Sequence, residues 1–131
     1  MSDNYFSAIA AEWTEIARSD LESAEFLTQK VPMPLEIICY HCEQSAEKML
    51  KGFLAFHGAE IPRIHALGKL CELCSQIDPE IDAISAQALE LTPYGVNVRY
   101  PFHVELLEQD AMIAIKHATY IFDFIEPRII C

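Results

Sequence analysis

The chain has 131 residues, 52% of them hydrophobic and 22% charged, and its 9 Lys+Arg against 20 Asp+Glu give a formal net charge of −11. One domain spanning 1–131 fits this length, and such a chain holds a core without metal or disulfide staples. The composition is too apolar and too even for a disordered acidic tail. The acidity also excludes a protein that coats nucleic acid, because Lys and Arg supply that affinity by neutralising phosphates; RNA as a partner is disfavoured on the same ground, while a local basic pocket is not.

The opening Met1-Ser2-Asp3-Asn4-Tyr5 carries neither a basic n-region nor an apolar h-region, and no apolar run reaches the roughly 18 residues a membrane span needs. The expectation is a cytoplasmic protein with no membrane partner. Ile9, Trp13, Ile16, Ala17, Leu21, Ala24 and Leu27 advance by three or four, which predicts a first helix over roughly 4–30, ending before Pro32. Leu35, Ile38, Cys39, Cys42, Ala46, Met49, Leu50 and Phe53 predict a second over roughly 34–57, with His57-Gly58 as its stop. Leu67, Leu70, Cys71 and Cys74 mark a short third helix, and Asp78-Pro79 reads as N-cap and first-turn proline of a fourth with Ile81, Ile84, Ala88 and Leu91 inward. Residues 92–102 break the pattern with two prolines and a glycine. A last helix over roughly 103–125 follows, with Val104, Leu107, Ala111, Ala114, Ala118, Phe122 and Ile125 inward and Pro127 beyond it. The fold class is all-α, an antiparallel up-and-down bundle of about five helices.

Three constellations carry potential chemistry. On the second helix His41, Gln44, Lys48 and Lys51 project as one polar, cationic stripe away from the Cys42/Ala46/Met49/Phe53 face. Residues 41–69 carry a net +1, against −12 for the remainder, so the positive potential is focused there. The plain account is a solvated face in which Glu47 pairs with Lys51 at i,i+4; the alternative is an anion-binding face.

The loop supplies Tyr94, Arg99, Tyr100 and His103. Arginine offers a fork of donors to phosphate and histidine moves a proton near neutral pH, a pairing suited to phosphodiester chemistry. The competing account has Arg99 paired with a carboxylate and His103 opening the last helix. Finally, Cys39-x-x-Cys42 and Cys71-x-x-Cys74 have zinc-site spacing, yet both pairs lie inside helical patterns and read as small core hydrophobes. The five cysteines, with Cys131, are an odd number and suit reduced thiols; no metal and no cofactor is expected.

The run Tyr40-His41-Cys42-Glu43-Gln44-Ser45-Ala46-Glu47-Lys48-Met49-Leu50-Lys51-Gly52-Phe53-Leu54, then His65-Ala66-Leu67, then Tyr94 through Arg99-Tyr100-Pro101, resembles the HEPN domain family, the higher eukaryotes and prokaryotes nucleotide-binding domain. Trp13, Ala17, Asp20-Leu21 and Ala24 extend the likeness to the first helix. The resemblance implies a helical bundle, often dimeric, with nucleotide-binding positions at His41, Gln44, Lys48, Lys51, His65, Tyr94, Arg99 and Tyr100. It also implies a minimal nucleotidyltransferase as partner in a toxin–antitoxin-like pair. Some members are metal-independent ribonucleases, in which case Arg99 and His103 are the catalytic pair. Here three residues separate them where the family's ribonuclease motif has four to six, so the enzyme assignment stays open beside nucleotide binding. A non-catalytic homodimeric interaction module is the third reading, carried by Met112, Ile113 and Tyr120 off the core stripe of the last helix.

Overall fold

The computed structural model describes residues 2–95 and 105–129, and every regular element among them is helical. Helix α1 runs Ser2–Leu27, α2 Leu35–Phe56, α3 Leu67–Ile77, α4 Ser85–Leu91 and α5 Glu108–Ile125. Short 3-10 segments fill Pro79–Ile84, Thr92–Gly95 and Glu126–Arg128. No described helix is long and apolar enough to cross a membrane.

The α2 helix is the axis of the bundle. Its stretch Met49–Ala55 is buried residue by residue, because α1, α3, α4 and α5 all pack on it. It ends where the Gly58 signal predicts: Gly58 has φ +70, its N–H bonds Ala55 O at 3.0 Å, and the N–H of Ala59 bonds Leu54 O at 2.9 Å. This pair of bonds satisfies carbonyls that the helix end leaves open, and the left-handed φ favours glycine.

The α1–α2 seam shows why the hydrophobic periodicity of α1 misplaces its inner face. The buried residues are Ala10, Thr14, Ala17, Leu21 and Ala24, while Ile16 stands exposed. Small side chains were selected there by close approach. A Cβ on Gly52 would meet Trp13 Cβ at 3.0 Å and Ala10 O at 3.7 Å, and Ser45 Oγ donates to Ala17 O at 2.9 Å across the same seam. Size, not hydropathy, sets this face.

The fourth predicted helix divides into the 3-10 turn Pro79–Ile84 and α4, with Ile81, Ile84, Ala88 and Leu91 all buried as expected. Asp78 caps it as read, its Oδ1 accepting the N–H of Glu80 at 3.0 Å. The last helix begins at Glu108, five residues later than its periodicity suggests. Asp110 reaches back to accept the Leu107 N–H at 2.8 Å, which fixes the N-terminus there and leaves Leu107 exposed rather than inward; Val104 lies outside the described residues. Arg128 closes the C-terminal end, stacking 3.8 Å from the Phe124 ring centroid and donating to Glu80 at 2.9 Å.

Candidate functional site

Glu43, Glu47 and Lys51 recur at four-residue intervals, so they line up along one side of α2, with Gln44 and Lys48 on the adjoining line. The stripe is not a solvated face. Lys51 is 7% exposed and Glu47 2%, and Lys51 Nζ donates to Glu47 Oε2 at 2.9 Å. The expected i,i+4 pair therefore exists, but as a buried one. Being the central helix, α2 has too little open perimeter to leave this pair in water.

The connection before α3 brings His65 Nδ1 to the same Glu47 Oε2 at 2.9 Å. The other Glu47 oxygen, Oε1, is buried and meets no hydrogen-bond donor among the described residues. One turn earlier Glu43 is 1% exposed, and the Thr92–Gly95 turn packs directly on its carboxyl: a Cβ on Gly95 would lie 2.7 Å from Glu43 Cδ and Oε2. Burial, followed by the nearby Glu47 charge, pushes the Glu43 carboxyl up to about 7. Gln44 Nε2 donates to Glu43 Oε1 at 2.8 Å, and Lys48 Nζ donates to Gln44 Oε1 at 2.7 Å. The chain Lys48–Gln44–Glu43 thus orients the amide and holds the Lys48 ammonium half-buried at the surface.

Of the residues singled out in the sequence, the structure gathers Gln44, Lys48, Lys51 and His65 around these two carboxyls. Tyr94 sits half-buried on the adjoining turn and packs against the core, its phenol pushed up by burial and by the facing Cys39 and Asp110. His41 belongs elsewhere: its Nδ1 pairs with Asp20 Oδ1 of α1 at 2.9 Å. It lines a cleft of about 370 Å³ with Ser19, Glu22, Ser23, Phe26 and Leu27. Arg99, Tyr100 and His103 lie outside the described residues. Sequence reasoning left Glu43 out of the site and took Glu47 only as a surface partner. The signal available was the run Glu43, Glu47, Lys51 at a spacing of four on the helix with the strongest core pattern.

Cys39, Cys42, Cys71 and Cys74 are core, and Cys131 lies outside the described residues. Burial pushes the thiols of Cys39 and Cys74 up to about 12 and that of Cys71 up to about 11, with Cys42 raised as well, so all four are neutral thiols at physiological pH. Cys74 Sγ donates to Leu50 O at 3.4 Å, tying α3 to α2. Among the described residues no three His, Cys, Asp or Glu side chains come together to hold a metal ion.

The profile of the HEPN domain matches residues 10–128. The fold is similar to the crystal structure of ST0689, an archaeal HEPN homologue, with a TM-score of 0.73 and 29% identity over 92% of this chain and 98% of that one. It is also similar to TT1696 from Thermus thermophilus, with a TM-score of 0.74 and 25% identity over 91% of this chain and 97% of that one. No curated protein matches the sequence. A profile match that runs from the first helix to the end of the last, joined to the same bundle in an archaeal homologue, leads to one conclusion: the chain belongs to the HEPN domain family.

Proposed function

We propose that this HEPN protein binds a nucleotide at the Lys48/His65 edge of α2 and acts as a homodimer with a minimal nucleotidyltransferase partner in a toxin–antitoxin-like pair. The observation that carries the binding reading is the Lys48–Gln44–Glu43 chain, with its 2.7 and 2.8 Å bonds. Holding a lysine ammonium at one place on the surface by a buried carboxyl serves little in a bundle whose core is already closed. It does pre-position a cation for phosphate, reducing the side-chain ordering that binding must otherwise overcome. Lys51 and His65 lie one turn on, and the Tyr94 turn borders the same carboxyls.

The homodimer reading is supported by Met112, Ile113 and Tyr120, which expose an apolar row on the outer side of α5. The nucleotidyltransferase partnership rests on the family likeness. Calorimetric titration with the four nucleoside triphosphates tests the first part, with saturable binding weakened in Lys48→Ala and Arg99→Ala as the expected result. Co-purification with the product of an adjacent nucleotidyltransferase reading frame tests the second. Flat titrations and no co-purifying nucleotidyltransferase contradict the proposal.

A further inference from the structure

Two carboxyls, Glu43 and Glu47, are buried one helical turn apart on α2, and Lys51 is the buried ammonium that serves them. Lys48 supplies the second compensating charge, linked to Glu43 through Gln44 and itself open to solvent on one side. Any anion that draws on Lys48 therefore competes with Glu43 for that charge. The Gly95 backbone seals the Glu43 carboxyl from water, so the lost compensation cannot be made up by solvent there.

We propose that the Glu43–Glu47 pair is a proton-uptake element: an anionic phosphate ligand engaging Lys48 binds together with one proton from solvent, which Glu43 takes up beside the buried Glu47 charge. The inference rests on the nucleotide-binding reading and adds its regulation. The position of Glu43's proton equilibrium, at about 7, places the switch in the physiological range. Among the described residues the other charged groups facing the pair are Lys48 and Lys51 on α2 itself and His65 from the connection before α3. The covering turn also carries Tyr94, whose phenol faces Cys39, Cys42, Asp110 of α5 and Glu90 of α4. On the α1 side the neighbouring acid is Asp20, already bound to His41.

The sign follows from the raised carboxyl. Below the ordinary carboxyl range Glu43 is protonated whether the chain is folded or not. Between that range and about 7 only the folded chain keeps the proton, so its stability falls as pH rises through this window. Above it the free protein carries both buried charges, and anion binding must recover the proton.

The test is calorimetric titration of the full chain with ATP between roughly pH 6 and 8.5, in two buffers of different ionisation heat, alongside Glu43→Gln and His65→Gln; one linked proton weakens binding by up to about tenfold per pH unit. Wild type is expected to show this fall above about pH 7 with a buffer-dependent heat, and His65→Gln to bind more weakly with the fall retained, while Glu43→Gln loses the part of the slope that its carboxyl contributes. Thermal melts supply a readout without ligand: Glu43→Gln is expected to be more stable than wild type at about pH 8, and to converge with it toward about pH 4. Equal slopes in wild type and Glu43→Gln, a slope that vanishes in His65→Gln, or no gain in stability at high pH overturns the inference while leaving nucleotide binding standing. No binding heat at any pH, by contrast, overturns both.

Discussion

The two long edges of α2 meet their neighbours by opposite means. Toward α1 the helix presents Ser45 and Gly52 to Ala17, Ala10 and Trp13, a seam of small residues closed by packing, with the Asp20–His41 pair at its rim. Toward the connection before α3 and the Thr92–Gly95 turn it presents Glu43, Glu47 and Lys51, equally buried but charged. The histidine–carboxylate bonds at the two edges have the same length, 2.9 Å, but different settings. At the rim both side chains are partly exposed, 28% for His41 and 19% for Asp20, whereas His65 is 75% exposed over a Glu47 side chain that is 3% exposed. One pair staples two helices, and the other connects a surface imidazole to a buried charge. A bundle needs the first kind for its stability; the second is the kind a ligand can act on.

The charged edge is where the largest effect is expected. Lys51→Met leaves Glu47 buried without its ammonium and should cost about 3–5 kcal/mol by urea unfolding at neutral pH. Pairing it with Glu47→Leu should recover most of that loss. A single variant as stable as wild type would mean the pair is hydrated, and the contrast between the edges would disappear. On the packed edge, Gly52→Val drives side-chain atoms into Trp13 and should cost about 2 kcal/mol in the same assay, with nucleotide affinity per folded molecule unchanged.

Smaller effects sharpen the functional side. Lys48→Ala should weaken nucleotide binding about tenfold by calorimetry; because its ammonium compensates Glu43 through Gln44, it should also lower stability above about pH 7 and leave it little changed at about pH 5, where Glu43 is protonated. His41→Ala should cost about 0.5 kcal/mol, as suits a partly exposed pair, and leave nucleotide affinity within about twofold of wild type. If His41→Ala weakened binding as much as Lys48→Ala, the two edges would be one site.

Much of the fold was legible because its signals are local. Asp78-Pro79 capped a helix where read, Gly58 ended α2, and the α2 core positions followed the 3.6-residue period. What was misread depends on a neighbour. Ile16 faces water because Gly52 lets α1 approach on its alanines, and α5 starts late because Asp110 caps at Leu107. For the site, the stripe Gln44, Lys48, Lys51 came from spacing alone, but spacing cannot say which side of a helix a later turn will cover. Gly95 sits far along the chain from Glu43, so the burial that sets that carboxyl's behaviour has no local trace. The same reason hid Asp20, which drew His41 out of the group it was read into.

Amide chemical-shift mapping of the labelled full chain during titration with ATP puts the central claim to the most direct test. The account predicts saturable shifts at Gln44, Lys48, His65 and the Thr92–Gly95 turn, with Ser19, Asp20, Ser23 and His41 unmoved. Shifts confined to the His41 cleft, or a spectrum that ATP leaves unchanged, would contradict it.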